Sequence, residues 1–190
     1  MASYTRKQLE AWIKDKKVSG NVLDIGGSQL PIKDRVQYDK DTNFRILDLK
    51  NPHEEKAKPE IICDLNNHFV VSGKDVDSFD YAVCLEVSEY WWNPVQALTN
   101  IWQYLKPGGT LLISFHFIYP VHRPIDEDCL RYTRPGVRKL LEKTGFKIKD
   151  IVSRKSQYNI TSFLKEEGMR PAQGYDFHGD VGVLVEAIKI

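Results

Sequence analysis

In the first third of the chain, carboxylates stand at the ends of successive apolar runs. Val22-Leu23-Asp24-Ile25 leads into Gly26-Gly27-Ser28, Phe44-Arg45-Ile46-Leu47 ends in Asp48, and Ile61-Ile62-Cys63 ends in Asp64 followed by Leu65. A glycine turn after a buried strand lets a ligand approach the backbone closely, because no Cβ intervenes. A carboxylate at the end of the next strand, such as Asp48, can accept hydrogen bonds from two ribose hydroxyls. The plainer alternatives are a bare strand-ending turn and a surface acid that caps one.

A second concentration of chemistry lies at 116–133. His116, Tyr119, His122, Arg123, Asp126, Asp128, Arg131 and Tyr132 fall within it. A hydroxyl acceptor benefits from a base that titrates near neutrality, which favours His122 or His116, with Asp126 as orienter or alternative base. Arg123 or Arg131 can grip a phosphate or carboxylate in bidentate fashion, and Tyr119 and Tyr132 complete a substrate pocket. Structural readings compete: Arg131 can clamp Asp126 or Asp128, and Tyr132, Trp91 and Trp92 can serve as packing. The histidines and aspartates match no specific metal-ligand spacing, so no metal is expected.

These residues need a scaffold that brings them to one edge. Apolar runs at 21–25, 44–49, 60–63, 79–85 and 110–117 have the length and β-branched or aromatic content of buried strands. Amphipathic stretches at 5–17, 94–105 and 133–143 read as helices, with Thr5 and Thr133 as N-caps and Pro94 in a first turn. Strands alternating with helices imply a parallel sheet, and such sheets bind ligands at the carboxyl ends of their strands. The runs at 146–153 and 181–190 suit an antiparallel pair closing that sheet. The segment between them, 156–180, reads as a loop or lid. The 15 residues between Ser28 and Phe44 leave room for one short helix at best. One domain over 1–190 is expected.

Bulk composition narrows the class. Twenty-seven basic against 26 acidic residues leave a net charge of +1, which offers no field for gripping extended nucleic acid. Three cysteines, Cys63, Cys84 and Cys129, show no ligand-pair spacing and fit a reducing cytoplasm, with Cys63 and Cys84 as small core hydrophobes. The first ten residues are too polar for a signal peptide, and no apolar run approaches the length of a membrane span.

An acidic rim disfavours a pyrophosphate ligand, and Ser28 stands where the full dinucleotide fingerprint needs glycine, which weakens a nicotinamide dehydrogenase reading. The sulfonium of S-adenosylmethionine is cationic and brings no phosphate. At this point a resemblance becomes specific. Val22 to Ser28 resembles the first motif of class I S-adenosylmethionine-dependent methyltransferases, (Asp/Glu)-x-Gly-x-Gly, with Ser28 at the second glycine. The run Phe79-Asp80-Tyr81-Ala82-Val83-Cys84-Leu85-Glu86-Val87-Ser88-Glu89-Tyr90 resembles the block after the family's fourth strand, with Tyr90 where histidine is common. Leu105-Lys106-Pro107-Gly108-Gly109 resembles its turn into the fifth strand. The resemblance implies a Rossmann-like α/β fold: a mostly parallel seven-stranded sheet, helices on both faces, and an antiparallel C-terminal strand pair. It implies S-adenosylmethionine as cofactor and S-adenosylhomocysteine as product, held by Asp24, Gly26, Gly27, Ser28, Asp48, Asp64, Leu65, Leu85 and Glu86.

The segment from Tyr119-Pro120 through His122, Pro124 and Asp126 to Arg131-Tyr132-Thr133 resembles a pattern of small methyltransferases that modify glycans and sugars. The implied reaction is methyl transfer to an oxygen or nitrogen of a small acceptor, such as a sugar or sugar nucleotide. Two other readings stay open: a methyltransferase-like binding or scaffold module without turnover, and an RNA or protein methyltransferase.

Overall fold

The computed structural model describes residues 2–158, 162, 165–169 and 180–190. The expected loop at 156–180 falls largely outside them. Strand β2 (Asn21–Ile25) lies inside a seven-stranded sheet with β4 (Asn43–Asp48), β5 (Ile61–Ile62), β6 (Phe79–Cys84), β7 (Leu105–His116), β8 (Phe146–Lys155) and β9 (Asp180–Lys189), in the order β5-β4-β2-β6-β7-β9-β8. Pairing is parallel from β5 through β7. The last two strands join antiparallel, with β9 between β7 and β8. This is the Rossmann-like fold that the resemblance implied, built on the parallel sheet expected from the alternation of elements. The two-residue strands β1 (Lys17–Val18) and β3 (Gln37–Tyr38), which form a separate parallel pair, were not foreseen.

Alternation along each strand builds two cores, one per face. Leu23, Ala82, Cys84, Leu111 and Ile113 face one core with Leu98 and Ile101 of α2 (Pro94–Tyr104) and Val137 and Leu141 of α3 (Arg134–Lys143). Val22, Val83 and Leu112 face the other, with Ile13 of α1 (Tyr4–Lys14) and with Ile32.

Helix boundaries follow their caps. Ser3, not Thr5, caps α1, its hydroxyl accepting from the Arg6 N–H. Thr133 caps α3 through the Gly136 N–H, as expected, and Pro94 occupies the first turn of α2 behind the Asn93 cap. Between Ser28 and Asn43 the chain makes a single 3₁₀ turn, Ile32–Asp34, and the short β3. The Leu105-Lys106-Pro107-Gly108-Gly109 run, expected as a turn, is absorbed into the start of β7, with Gly108 at a positive φ of 78°.

Candidate functional site

The parallel strands end together, and the loops after them enclose a cleft of about 1310 Å³. Its floor is the turn after β2. Gly26 has a φ of 72°, a left-handed conformation that favours glycine, and its N–H donates to the Leu47 carbonyl at 2.8 Å. Gly27 is required for a different reason. A Cβ there would lie 2.3 Å from Oδ2 of Asp24, a carboxylate 5% exposed that accepts the Ile32 N–H at 2.6 Å. Burial pushes Asp24 up to about 7, against the opposing pull of that hydrogen bond. Asp24 therefore braces the glycine turn from beneath.

Of the expected cofactor residues, Gly26, Asp48, Asp64, Leu65 and Glu86 line the cleft. Asp24, Gly27, Ser28 and Leu85 do not. Asp48 is half-buried; its Oδ2 accepts the Ser28 N–H at 3.1 Å and its Oδ1 the Leu49 N–H at 2.8 Å. Those two bonds fix the carboxylate and leave each oxygen a lone pair for a ligand. Asp64 takes the Asn66 N–H and both Asn66 and Asn67 side-chain amides. Asn66 in turn accepts the N–H groups of Trp92 and Asn93, tying this rim to the start of α2. Ser28 is fully buried, with its carbonyl accepting the N–H groups of Lys56 and Ala57, so the position held by glycine in the family motif anchors the loop after β4. Apolar Leu49 and Leu65, with two carboxylates, form a donor-poor, acceptor-rich cradle suited to an adenosyl group with a cationic tail.

Beyond Glu86 the cleft continues to Tyr90, Tyr119, His122, Arg123 and Asp126. Nδ1 of His122 lies 2.9 Å from Oδ2 of Asp128, which also accepts the His122 backbone N–H at 2.9 Å. The acid beside the ring is thus Asp128 and not Asp126, whose carboxylate makes no hydrogen bond or ion pair among the described residues. Arg131 holds Asp128 through both terminal nitrogens and also donates to the Tyr119, Pro120 and Leu130 carbonyls. The Arg131 pairing, with the His122 contacts, keeps the Asp128 carboxyl well below the usual carboxylate range. Arg131 is consequently committed to the loop and lies off the cleft, whereas Arg123 lines it with no ion pair among the described residues.

His116 proves unsuited to the base role expected of it. It is 1% exposed and off the cleft, with Nε2 at 3.3 Å from oxygens of both Glu86 and Glu89. Burial alone would lower its pKa, but the two carboxylates outweigh that and raise it to about 9. A ring held as a cation at neutral pH has no lone pair to offer. Glu86, at a positive φ of 59°, is also paired with Arg154, itself 1% exposed, at 2.8 Å. Burial opposes its ionisation, yet His116 and Arg154 hold its carboxyl well below the ordinary range. Tyr132 likewise belongs to the core: its hydroxyl donates to the Ser88 carbonyl at 2.6 Å and its ring packs edge-on against Phe115.

Several groups at the site went unrecognised. Glu89, Arg154 and Asn66 were not singled out, nor was His53, which pairs with Glu127 at 3.0 Å across the cleft and packs edge-on against Tyr90. Trp91 is buried and Trp92 is 62% exposed, both on the cleft wall. Cys63 packs against the core, as expected, but is only half-buried and also lines the cleft, where burial and Asp64 push its thiol up to about 12.

Residues 41–113 match the model of a family described as "Methyltransferase domain". No curated protein matches the chain in sequence. Solved structures carry the likeness further. A candidate methyltransferase of Bacillus halodurans superposes with a TM-score of 0.62 at 13% identity, covering 96% of this chain and 97% of that one. An S-adenosylmethionine-dependent methyltransferase of Mesorhizobium loti gives 0.59 at 18%, covering 99% of each. Phosphoethanolamine N-methyltransferase 2 of Haemonchus contortus, in complex with S-adenosyl-L-methionine, gives 0.59 at 13%, covering 97% of this chain and 52% of that one. Among the described residues no helix is long and apolar enough to cross a membrane. Residues 41–113 thus match a methyltransferase domain, within a chain that has the fold of the S-adenosylmethionine-dependent enzymes.

Proposed function

We propose that the chain, as one domain over residues 1–190, transfers a methyl group from S-adenosylmethionine to a small acceptor, with a hydroxyl favoured over an amine. The observation that carries this reading is a single cleft lined by Asp48 at the end of β4, Asp64 just beyond the neighbouring β5, and, farther along, His122 with Asp128 behind it. Asp48 would hold the ribose hydroxyls, Leu49 and Leu65 the adenine faces, and Asp64 its edge. When bound, the cofactor supplies a methyl on a sulfonium, an electrophile that needs alignment and dryness more than acid catalysis.

His122 would accept the acceptor's proton. Asp128 fixes its tautomer, and the Arg131 clamp keeps Asp128 ionised. Arg123, on the cleft and without an ion pair among the described residues, favours an acceptor with a phosphate or carboxylate, for which a sugar nucleotide is a fitting probe. Near-neutral net charge argues against extended nucleic acid, and a reducing cytoplasm suits three free cysteines.

Calorimetry with S-adenosylmethionine and S-adenosylhomocysteine tests the cofactor. Asp48→Ala is expected to weaken either by about 1–3 kcal/mol, the scale of lost hydrogen bonds to a charged group. Unchanged affinity would remove Asp48 from the site. An acceptor screen that follows S-adenosylhomocysteine release tests turnover; tight binding with no release on any acceptor would identify a silent binding module instead.

A further inference from the structure

The hydroxyl of Tyr90 has one proton and two acceptors. Its Oη lies 3.1 Å from Nε2 of His122 and 3.1 Å from the carbonyl oxygen of Arg123. On the far side of the imidazole, Nδ1 faces Asp128, an ionised carboxylate that can only accept. Nδ1 therefore carries a proton in either state of the ring, and the lone pair of the neutral ring sits on Nε2, toward Tyr90. With His122 neutral, Tyr90 must donate to Nε2. With Nε2 protonated, the ring donates to Tyr90, whose own proton turns to the Arg123 carbonyl. Oε1 of Glu89, at 3.6 Å from Nε2, is beyond hydrogen-bond reach, so the phenol is the group that meets this nitrogen.

Tyr90 is half-buried and lines the cleft. An acceptor hydroxyl that approaches His122 from the cleft finds the lone pair already covered by the phenol. We infer that Tyr90 is a catalytic residue that relays the acceptor's proton to His122. The inference rests on the reading of His122 as base. As the acceptor oxygen gains the methyl, its proton passes to Oη of Tyr90, and the phenol's own proton passes to Nε2. The pair of the broken carbon–sulfur bond stays on sulfur. Tyr90 ends neutral and His122 ends as imidazolium, so one positive charge leaves the sulfonium and one appears on the ring. Burial first, then the carboxylates of Glu89 and Asp128, holds the phenol above its ordinary range, which suits a neutral conduit and not a phenolate base.

The test has two readouts on wild type, Tyr90→Phe and His122→Gln. Carbethoxylation by diethyl pyrocarbonate, mapped by mass spectrometry, needs no acceptor. Losing one neutral hydrogen bond on Nε2 should make His122 react about fivefold faster in Tyr90→Phe, with exposed His68 as internal control. Equal rates at His122 in wild type and Tyr90→Phe overturn the relay. The second readout is S-adenosylhomocysteine release with UDP-glucose as hydroxyl probe. Both variants should be about 100-fold slower or worse, with cofactor affinity retained. Tyr90→Phe at the wild-type rate beside an inactive His122→Gln would mean direct contact with His122 and sink the relay alone. Wild-type turnover in His122→Gln would sink the base assignment beneath it.

Discussion

Raising the pH from about 6.5 to about 9 should destabilise the protein through His116. In the unfolded chain its imidazole titrates near 6.5; in the fold, the carboxylates of Glu86 and Glu89 overcome burial and hold the proton to about 9. Below 6.5 both states carry the proton and the stabilisation is complete. Between the two values the native state holds a proton that the unfolded chain has released, so each pH unit removes about 1.4 kcal/mol. The whole interval removes on the order of 3 kcal/mol, a large share of the 5–15 kcal/mol typical of a domain. The geometry supports an effect of this scale: the ring is 1% exposed and sits 3.3 Å from oxygens of both acids, and the fully buried Glu89 carboxylate, which makes no hydrogen bond among the described residues, depends on that ring's charge. Urea unfolding at pH 6, 7.5 and 9 measures the slope. His116→Gln, which cannot titrate, should start lower and show a clearly smaller slope, above all between pH 7.5 and 9. Equal slopes in wild type and His116→Gln would refute the assignment of the proton to this ring.

Asp24 gives a second, oppositely caused dependence: burial raises it to about 7 from 3.8, so its ionisation costs stability as pH rises through that window. Asp24→Asn should therefore gain on wild type by about 1.4 kcal/mol per pH unit between pH 5 and 7 in urea unfolding, and a pH-independent difference would count against it. Gly27→Ala would drive a methyl to within 2.3 Å of the same carboxylate, and should lower stability by about 1–3 kcal/mol, read as a shift of the urea midpoint with unchanged slope. An unshifted midpoint would mean that the turn yields freely.

Periodicity made the fold legible where burial dictates residue choice. Val83 packs on one face of β6 while Ala82 and Cys84 pack on the other, so the strand is apolar throughout and reads as central. The tail reads differently because β9 pairs antiparallel with both neighbours. What escaped was local chemistry with weak periodic signal. The two-residue strands β1 and β3 are too short to alternate, and the start of β7 hides within a glycine-rich run whose backbone pairs Leu105 with Phe79 before the strand becomes apolar.

At the site, strand ends were legible and loop geometry was not. Asp48 could be placed because a strand's end fixes where its last residue points, and Asp64 because it follows the end of β5 by only two residues. Between His122 and Arg131 no period exists, so Asp126, Glu127 and Asp128 are equivalent on paper. The choice falls to Asp128 because Arg131, three residues on, reaches it and then fastens it to the carbonyls of Tyr119 and Pro120. Burial separates the two histidines in the same way. His116 ends β7 inside the protein, between carboxylates from the loop after β6, while Arg154 arrives from β8 at the far edge of the sheet to balance Glu86. That balance joins residues 68 apart in sequence, which no local motif can announce. It also explains the division of labour: charge-saturated His116 is spent on holding the loop that carries Glu86 and Glu89, and His122, bound to one acid and one phenol, retains a nitrogen that can take a proton.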